Sequence, residues 1–306
     1  SKMFDTYDTA TGVRVNYNSI GSGGGIKALT DKTVDFGASD AFLNDQELQA
    51  MGAPVLHIPT CVGAVVLSYN LDGKPSLKLD SAVVAGIFLG TVTTWNDPAI
   101  KALNPGVMLP DLAITVVHRS DGSGTTSIFT SYLSAISPTW KSKVGAGKSV
   151  SWPVGLGGNG NDGVAGMIAQ TKGSIGYIEL VYAVQTDMPA ASLKNASGAL
   201  IAPSLAAAPA AADVALPDDL RVLLVNSPGA AAYPVSAFTW ILVYKEQHYN
   251  NRTLAQAQAL KKLLTWVLND GQSLNEGLSY ARLPAAAAAK ATILVESMTY
   301  DGAAIP

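Results

Sequence analysis

Apolar positions along the chain switch repeatedly between a helical and an alternating period, and the switching predicts helices and strands in turn. Phe4, Tyr7 and Ala10 sit at helical spacing until Thr11-Gly12 interrupts them. Val13, Val15 and Tyr17 then alternate as in a short strand. The run Gly21-Ser22-Gly23-Gly24-Gly25 predicts a loop, with a helix beginning at Ile26. Residues 35–40 read as a short strand with a polar end, residues 46–51 as a short helix, and the Val-rich residues 54–69 as one or two buried strands. Further on, Ser81–Leu89 is helical, residues 93–95 lie in a turn, and residues 112–118 form a strand. That strand runs into Arg119-Ser120-Asp121-Gly122-Ser123-Gly124-Thr125-Thr126, followed by a helix over 128–133. Residues 155–163 predict a loop before a helix from Val164, and residues 175–178 another strand. The Ala- and Pro-rich residues 198–217 read as a surface excursion with some helix. Residues 238–244 form an apolar strand, and Leu254–Leu268 an amphipathic helix. No internal repeat of fixed period is present. The alternation predicts an α/β protein with mostly parallel connections.

Composition narrows the function classes. The chain has 306 residues, about two domains at ~150 residues each, and 48% of them are hydrophobic. Charged residues make up 14%, and the net charge is −3. This is too little charge for a disordered chain, and the mild acidity argues against nucleic-acid binding, which needs a basic face. One cysteine, Cys61, excludes an intramolecular disulfide framework and a Cys-rich zinc site. No apolar run approaches the ~18–20 residues of a membrane span. No signal peptide is visible at the start, which fits a cytoplasmic chain and a mature secreted chain alike, as does the lone Cys61.

Two strand–glycine loop–helix junctions could carry chemistry: Asn18 to Gly25, and Arg119 to Thr126. Glycines let the backbone approach a ligand, and a helix N-terminus presents unpaired N–H groups and partial positive charge. Ser and Thr hydroxyls add donors, so both junctions suit a small oxyanion. The competing reading of each is an ordinary turn with helix caps. Neither continues into Gly-Lys-Ser/Thr, and the first lacks dinucleotide glycine spacing, so nucleotides are disfavoured. Arg119 ends a strand and can give two parallel hydrogen bonds, with Asp121 placed to hold its guanidinium; otherwise the two are an exposed pair worth little. Asp40 follows a strand end, where α/β proteins often bind ligands, or is a helix cap. Of the three histidines, His57, His118 and His248, only His118 neighbours a junction. Adjacent strand residues point to opposite faces, so His118 reads as structural rather than as a base for Ser123. No pair of histidines has metal-ligand spacing. The five tryptophans read as packing rather than as a sugar platform.

These segments resemble one family in order along essentially the whole chain. They are Val15-Asn16-Tyr17 with Gly21 to Gly25, Val34-Asp35-Phe36-Gly37-Ala38-Ser39-Asp40, Arg119 to Thr126, and Gly157 to Gly163 with Gly173 to Glu179. The family is the periplasmic phosphate-binding protein of the high-affinity phosphate ABC transporter. The resemblance implies a two-lobed type II periplasmic-binding-protein architecture, each lobe a mixed, mostly parallel sheet flanked by helices. Residues 1–61 and 238–306 would form one lobe and 62–237 the other, with hinges near 59–66 and 234–238. It implies capture of inorganic phosphate between the lobes and delivery to a membrane permease, in the periplasm or at the cell surface, without cofactor, metal or catalysis. Ser22, Asp40, Arg119, Ser123, Gly124 and Thr125 would bind phosphate, supported by Gly21, Gly23 and Asp121. Asp40 would accept the P–OH hydrogen bond.

The family pattern opens with a strand and glycine-rich loop ahead of the helix with which this sequence begins. Three readings follow. The sequence is part of a longer chain, the strand comes from another subunit in a strand-exchanged homo-oligomer, or the tail Tyr300 to Pro306 fills the gap. The rival functions are therefore a surface or filament-forming protein with a site completed by strand exchange, and a minor phosphate-ester hydrolase.

Overall fold

In the computed structural model, which describes residues 2–306, the chain forms two compact units. The first comprises residues up to Val62, Ala215–Val222 and Phe238–Pro306; the second comprises Gly63–Val214 and Leu223–Ala237.

The first unit opens with α1 (Lys2–Thr11), which buries Phe4 and Tyr7 and sets Tyr7 against Trp266 at 5.1 Å. The stretch after it has no regular secondary structure and joins none of the described sheets, contrary to the strand expected over 13–17. Alternation makes a strand only where a neighbour supplies ladder hydrogen bonds. Here it serves ring packing instead, with Tyr17 against Phe4 at 5.3 Å and Phe36 at 6.5 Å.

The glycine run is not a loop before a helix but the first turns of α2 (Gly21–Thr30). Gly21, at φ +71°, turns the chain into the helix. Gly25 lets the helix touch the next strand, β1 (Gly37–Ser39): a Cβ on Gly25 would lie 2.8 Å from the Ala38 carbonyl oxygen, and one on Gly37 would lie 2.7 Å from that of Gly25. Next, α3 (Asp45–Met51) starts at a capping box between Asn44 and Glu47 and stops at Gly52 in the left-handed region. β2 (Val55–Tyr69) is a single 15-residue strand, buried almost throughout, whose first half belongs to the first unit and second half to the second.

The second unit continues through β3 (Lys78–Leu79), α4 (Ser81–Leu89), α5 (Pro98–Leu103), β4 (Thr115–Arg119), α6 (Gly124–Ile136) and α7 (Pro138–Lys143). It is completed by β5 (Leu156–Gly158), α8 (Gly160–Gln170), β6 (Ser174–Glu179), α9 (Leu180–Gln185), β7 (Ser192–Lys194) and β8 (Leu200–Ile201). β6 pairs antiparallel with β2, Val65 opposite Glu179, and parallel with β4, Val116 opposite Ile175. β4 pairs parallel with β5, Arg119 opposite Gly158. Parallel pairing recurs between β3 and β7, while β7 and β8 are antiparallel. Phe88, Trp95, Phe129, Trp140 and Tyr177 fill the core, and the two indoles donate to the Gly173 and Gly145 carbonyls. Residues 198–217 are less superficial than expected, because Ala207, Ala208, Ala211 and Ala212 are buried around a 3₁₀ turn, Pro209–Ala212. Small side chains let backbone pack closely where larger ones would not fit.

The chain returns to the first unit for β9 (Ser236–Tyr244), α10 (Leu254–Leu268), α11 (Ala285–Glu296), β10 (Thr299–Tyr300) and β11 (Ala303–Ala304). β9 pairs antiparallel with β1, Gly37 opposite Leu242 and Ser39 opposite Trp240. Ala215–Val222 docks through Leu220, fully buried, whose carbonyl accepts from the Trp240 indole. The tail folds as the β10–β11 hairpin, with the Asp301 and Gly302 N–H groups donating to the Glu246 carboxylate. Glu246 follows the C-terminal end of β9, whereas Asp40 lies beside Thr239 near its start, about 20 Å away at ~3.3 Å per residue. Among the described residues, no helix is long and apolar enough to cross a membrane.

Candidate anion-binding site

In the second unit, the parallel pairing of β4 between β5 and β6 carries Arg119 to the C-terminal end of its strand. Its side chain is only 4% exposed. A buried guanidinium needs a counter-charge, and Asp121 supplies it as a fork: Nε donates to Oδ1 at 2.7 Å and Nη2 to Oδ2 at 2.5 Å. Asp121 Oδ1 also accepts from the Gly160 N–H at 3.1 Å, at the start of α8. Hydrogen bonding from Arg119, opposed by partial burial and helped by Gly160, holds the Asp121 carboxyl below the usual carboxylate range. The fork leaves Nη1 directed at Thr125 Oγ1, 3.4 Å away.

Ser123 caps α6, its hydroxyl accepting from the Thr126 N–H at 3.1 Å. The helix begins at Gly124, four residues earlier than the apolar pattern indicated, because that cap, not an apolar residue, starts it. Gly124 and Thr125 thus lie in a buried first turn, where N–H groups have no acceptor within the helix. Asn161 donates to Thr125 Oγ1 at 3.3 Å and accepts from the Glu179 N–H at 3.3 Å, tying α8, α6 and the end of β6 together. Tyr177 accepts the Arg119 N–H at 3.0 Å and bonds Thr126 Oγ1 at 2.6 Å. Burial pushes its hydroxyl up to about 12, so it stays protonated near neutral pH. His118 makes no hydrogen bond to Ser123 among the described residues. Its ring stacks on Trp152 at 4.9 Å and 11°, and its Nδ1 lies 3.0 Å from the Arg119 carbonyl oxygen. Trp152 in turn stacks on Tyr177 at 5.5 Å.

In the first unit, Ser22 lies in the first turn of α2, between Gly21 and Gly23, and is 4% exposed. Ile20, which precedes that turn, gives it no side-chain cap. Ser22 Oγ accepts the Asp40 N–H at 3.2 Å, joining the glycine turn to the end of β1. Asp40 is not a helix cap, since Asn44 caps α3. Its Oδ1 accepts the Thr239 hydroxyl at 2.7 Å. The loop beyond is fixed by Ser39, which bonds both polar groups of Ala41, and by the Leu43 N–H donating to His57 Nε2 at 3.1 Å.

The structure thus gathers Arg119, Asp121, Ser123, Gly124 and Thr125 in one unit, and Gly21, Ser22, Gly23 and Asp40 in the other. Asn161, Tyr177 and Thr239 complete these clusters without having been singled out from sequence. Thr239 did leave a sign, as a hydroxyl in the otherwise apolar run Phe238 to Val243. Each cluster presents donors at a helix start, and the first unit adds a carboxylate. Among the described residues, no group of three or more His, Cys, Asp and Glu side chains could hold a metal ion.

Known proteins share this arrangement of sequence. The PBP superfamily domain matches residues 1–271. A phosphate-binding protein PstS from Xylella fastidiosa is 45% identical over 283 residues, covering 91% of this chain and 76% of that protein. The chain belongs to the PstS phosphate-binding protein family. A second member, from Pasteurella multocida, is 44% identical over 289 residues, covering 93% of this chain and 82% of its own length. The subatomic-resolution structure of PfluDING, a high-affinity periplasmic phosphate-binding protein with phosphate bound, aligns at TM-score 0.74 and 20% identity, over 99% of this chain and 96% of that one. At that identity the likeness establishes the family fold, a mixed α/β architecture.

Proposed function

We propose that the chain binds one inorganic phosphate ion and delivers it to the permease of an ABC transporter, from the periplasm or the cell surface. The observation that carries this reading is the buried Arg119 guanidinium, forked by Asp121 beside the first turn of α6. Such a group recognises a small oxyanion in two-point geometry. Ser123, Gly124 and Thr125 add hydroxyl and backbone donors, and in the first unit Ser22 and Asp40 are the residues that match the family's phosphate motif. The lobes correspond to the two units, with Ala215–Val222 belonging to the first rather than to the 62–237 lobe expected from sequence, and hinges near 59–66 and 234–238. The names of the family relatives support phosphate as the ligand and binding, not catalysis, as the task.

Asp40 gives the site its choice of anion. Near neutral pH phosphate keeps a proton and sulfate does not. A carboxylate accepts a hydrogen bond from P–OH, but against sulfate it meets only lone pairs. A polar group left unpaired in this way rejects an analogue by up to ~10⁴–10⁵. Calorimetric titration should give one phosphate per chain, with sulfate a poor competitor and no turnover of a chromogenic phosphate ester. Asp40→Asn should narrow the phosphate-over-sulfate ratio. Absence of phosphate uptake, or release of the chromophore, overturns the reading; an unchanged ratio in the variant removes Asp40's role.

A further inference from the structure

We infer that Thr239 is a positioning residue: it orients the Asp40 carboxylate and so sets the preference for an oxyanion that carries a proton. The inference rests on the phosphate reading and deepens it. The β1–β9 ladder pairs Gly37 with Leu242, Ala38 with Ile241 and Ser39 with Trp240. One further step puts Asp40 directly opposite Thr239, and residues so paired project their side chains to the same face. The Thr239 hydroxyl uses that placement, 2.7 Å from Asp40 Oδ1.

Thr239 is also the least buried position of β9. Its neighbours Phe238 and Trp240 are 0% and 1% exposed and anchor the strand on either side. Its carbonyl accepts the Thr60 hydroxyl of β2 at 3.1 Å, so the strand cannot shift without breaking a second contact. A carboxylate turns about a broad, two-fold torsion that packing holds poorly. A hydroxyl donated to one of its oxygens fixes that torsion, and a hydroxyl proton directed at Oδ1 requires Asp40 to be the acceptor. The Asp40 N–H, held by Ser22 Oγ at 3.2 Å, fixes the same residue from its backbone. Threonine suits the position because its branched Cβ restricts χ1 where a serine would rotate more easily.

The test compares wild type, Thr239→Val and Thr239→Ser by phosphate titration with sulfate as competitor, alongside thermal melts. Valine keeps the shape and the branching and removes the hydroxyl. The expected result is a phosphate affinity lower by about tenfold in Thr239→Val, with sulfate affinity unchanged, so that the ratio falls by the same factor. Thr239→Ser should restore most of the ratio. In an Asp40→Asn background, Thr239→Val should cause no further loss of ratio, which also covers the case in which the single valine variant folds poorly. A wild-type ratio in Thr239→Val overturns the inference, as do equal losses for both anions with a lowered melting midpoint, which mark a merely structural role. Failure of the wild type to bind phosphate removes the underlying reading and this inference together.

Discussion

Arg119 is worth more to this protein than its charge suggests, because almost none of it is in water. A buried guanidinium whose partner is weakened is left with unmatched donors, and charge-assisted hydrogen bonds are about twice as strong as neutral ones. Asp121→Asn replaces one accepting oxygen of the fork by an NH₂ donor. Phosphate affinity should fall by roughly tenfold to a hundredfold, in line with ~1.5–3 kcal/mol for a hydrogen bond to a charged group. Titration at constant ionic strength measures this, and an affinity within twofold of wild type would show that the fork does not orient Arg119. The Arg119–Asp121 pair was legible in the sequence because its members are two residues apart at a strand end. Thr239 and Asn161 were not, because their partners lie 199 and 36 residues away, at separations that only strand register and helix placement bring together.

Helix starts were the least legible elements, and glycine is the reason. Helix propensity puts Gly about 1 kcal/mol below Ala, so the runs at 21–25 and 155–163 read as loops. In the structure, Gly21 and Gly160 adopt positive φ, at +71° each, and open helices. Gly25 and Gly37 remove the side chains that would hold α2 off β1. The same contact places Ser22 against the Asp40 N–H, so helix packing and the placement of these two residues share one constraint. Gly37→Ala forces a Cβ to 2.7 Å from a backbone oxygen that no rotamer change can move. Overpacking of this kind destabilises by about 1–3 kcal/mol. A lower midpoint in a thermal melt is expected, with phosphate affinity reduced alongside; an unchanged midpoint would mean that α2 moves aside at no cost. Elements with strong periodicity and clear caps, such as Ser81–Leu89 and Leu254–Leu268, match their sequence-based bounds because Asp80 and Thr253 cap them.

For the whole chain, repeated switching between the two apolar periods made the α/β class readable. The direction of pairing was not, because parallel and antiparallel strands are equally apolar when buried. Parallel ladders with helical crossovers are concentrated in the second unit, around β4. Stability against acid is also set at this scale. Burial, reinforced by the charge of Arg221 and opposed by Asp219 and a Val55 backbone bond, lowers His57 from 6.5 to about 4. The folded state therefore resists a proton that the unfolded chain accepts. This penalty is absent above about pH 6.5, grows as the pH falls towards 4, and is complete below it. It amounts to about 3 kcal/mol. Chemical denaturation at pH 7 and pH 4.5 should show the loss, and His57→Gln should remove that part of the slope. The same proton would displace the Leu43 N–H from Nε2 and loosen the loop that carries Asp40.

The stack of His118, Trp152 and Tyr177 gives the molecule a built-in optical probe. Tyr177 holds the Arg119 N–H, and the Trp152 indole lies against the Tyr177 ring. Indole emission responds to the rings and dipoles around it, so a displacement of Arg119 travels one hydrogen bond and one stacking contact before it reaches a fluorophore. Phosphate binding at Arg119, as proposed, should therefore change the Trp152 share of the emission from the chain's five tryptophans, without a label.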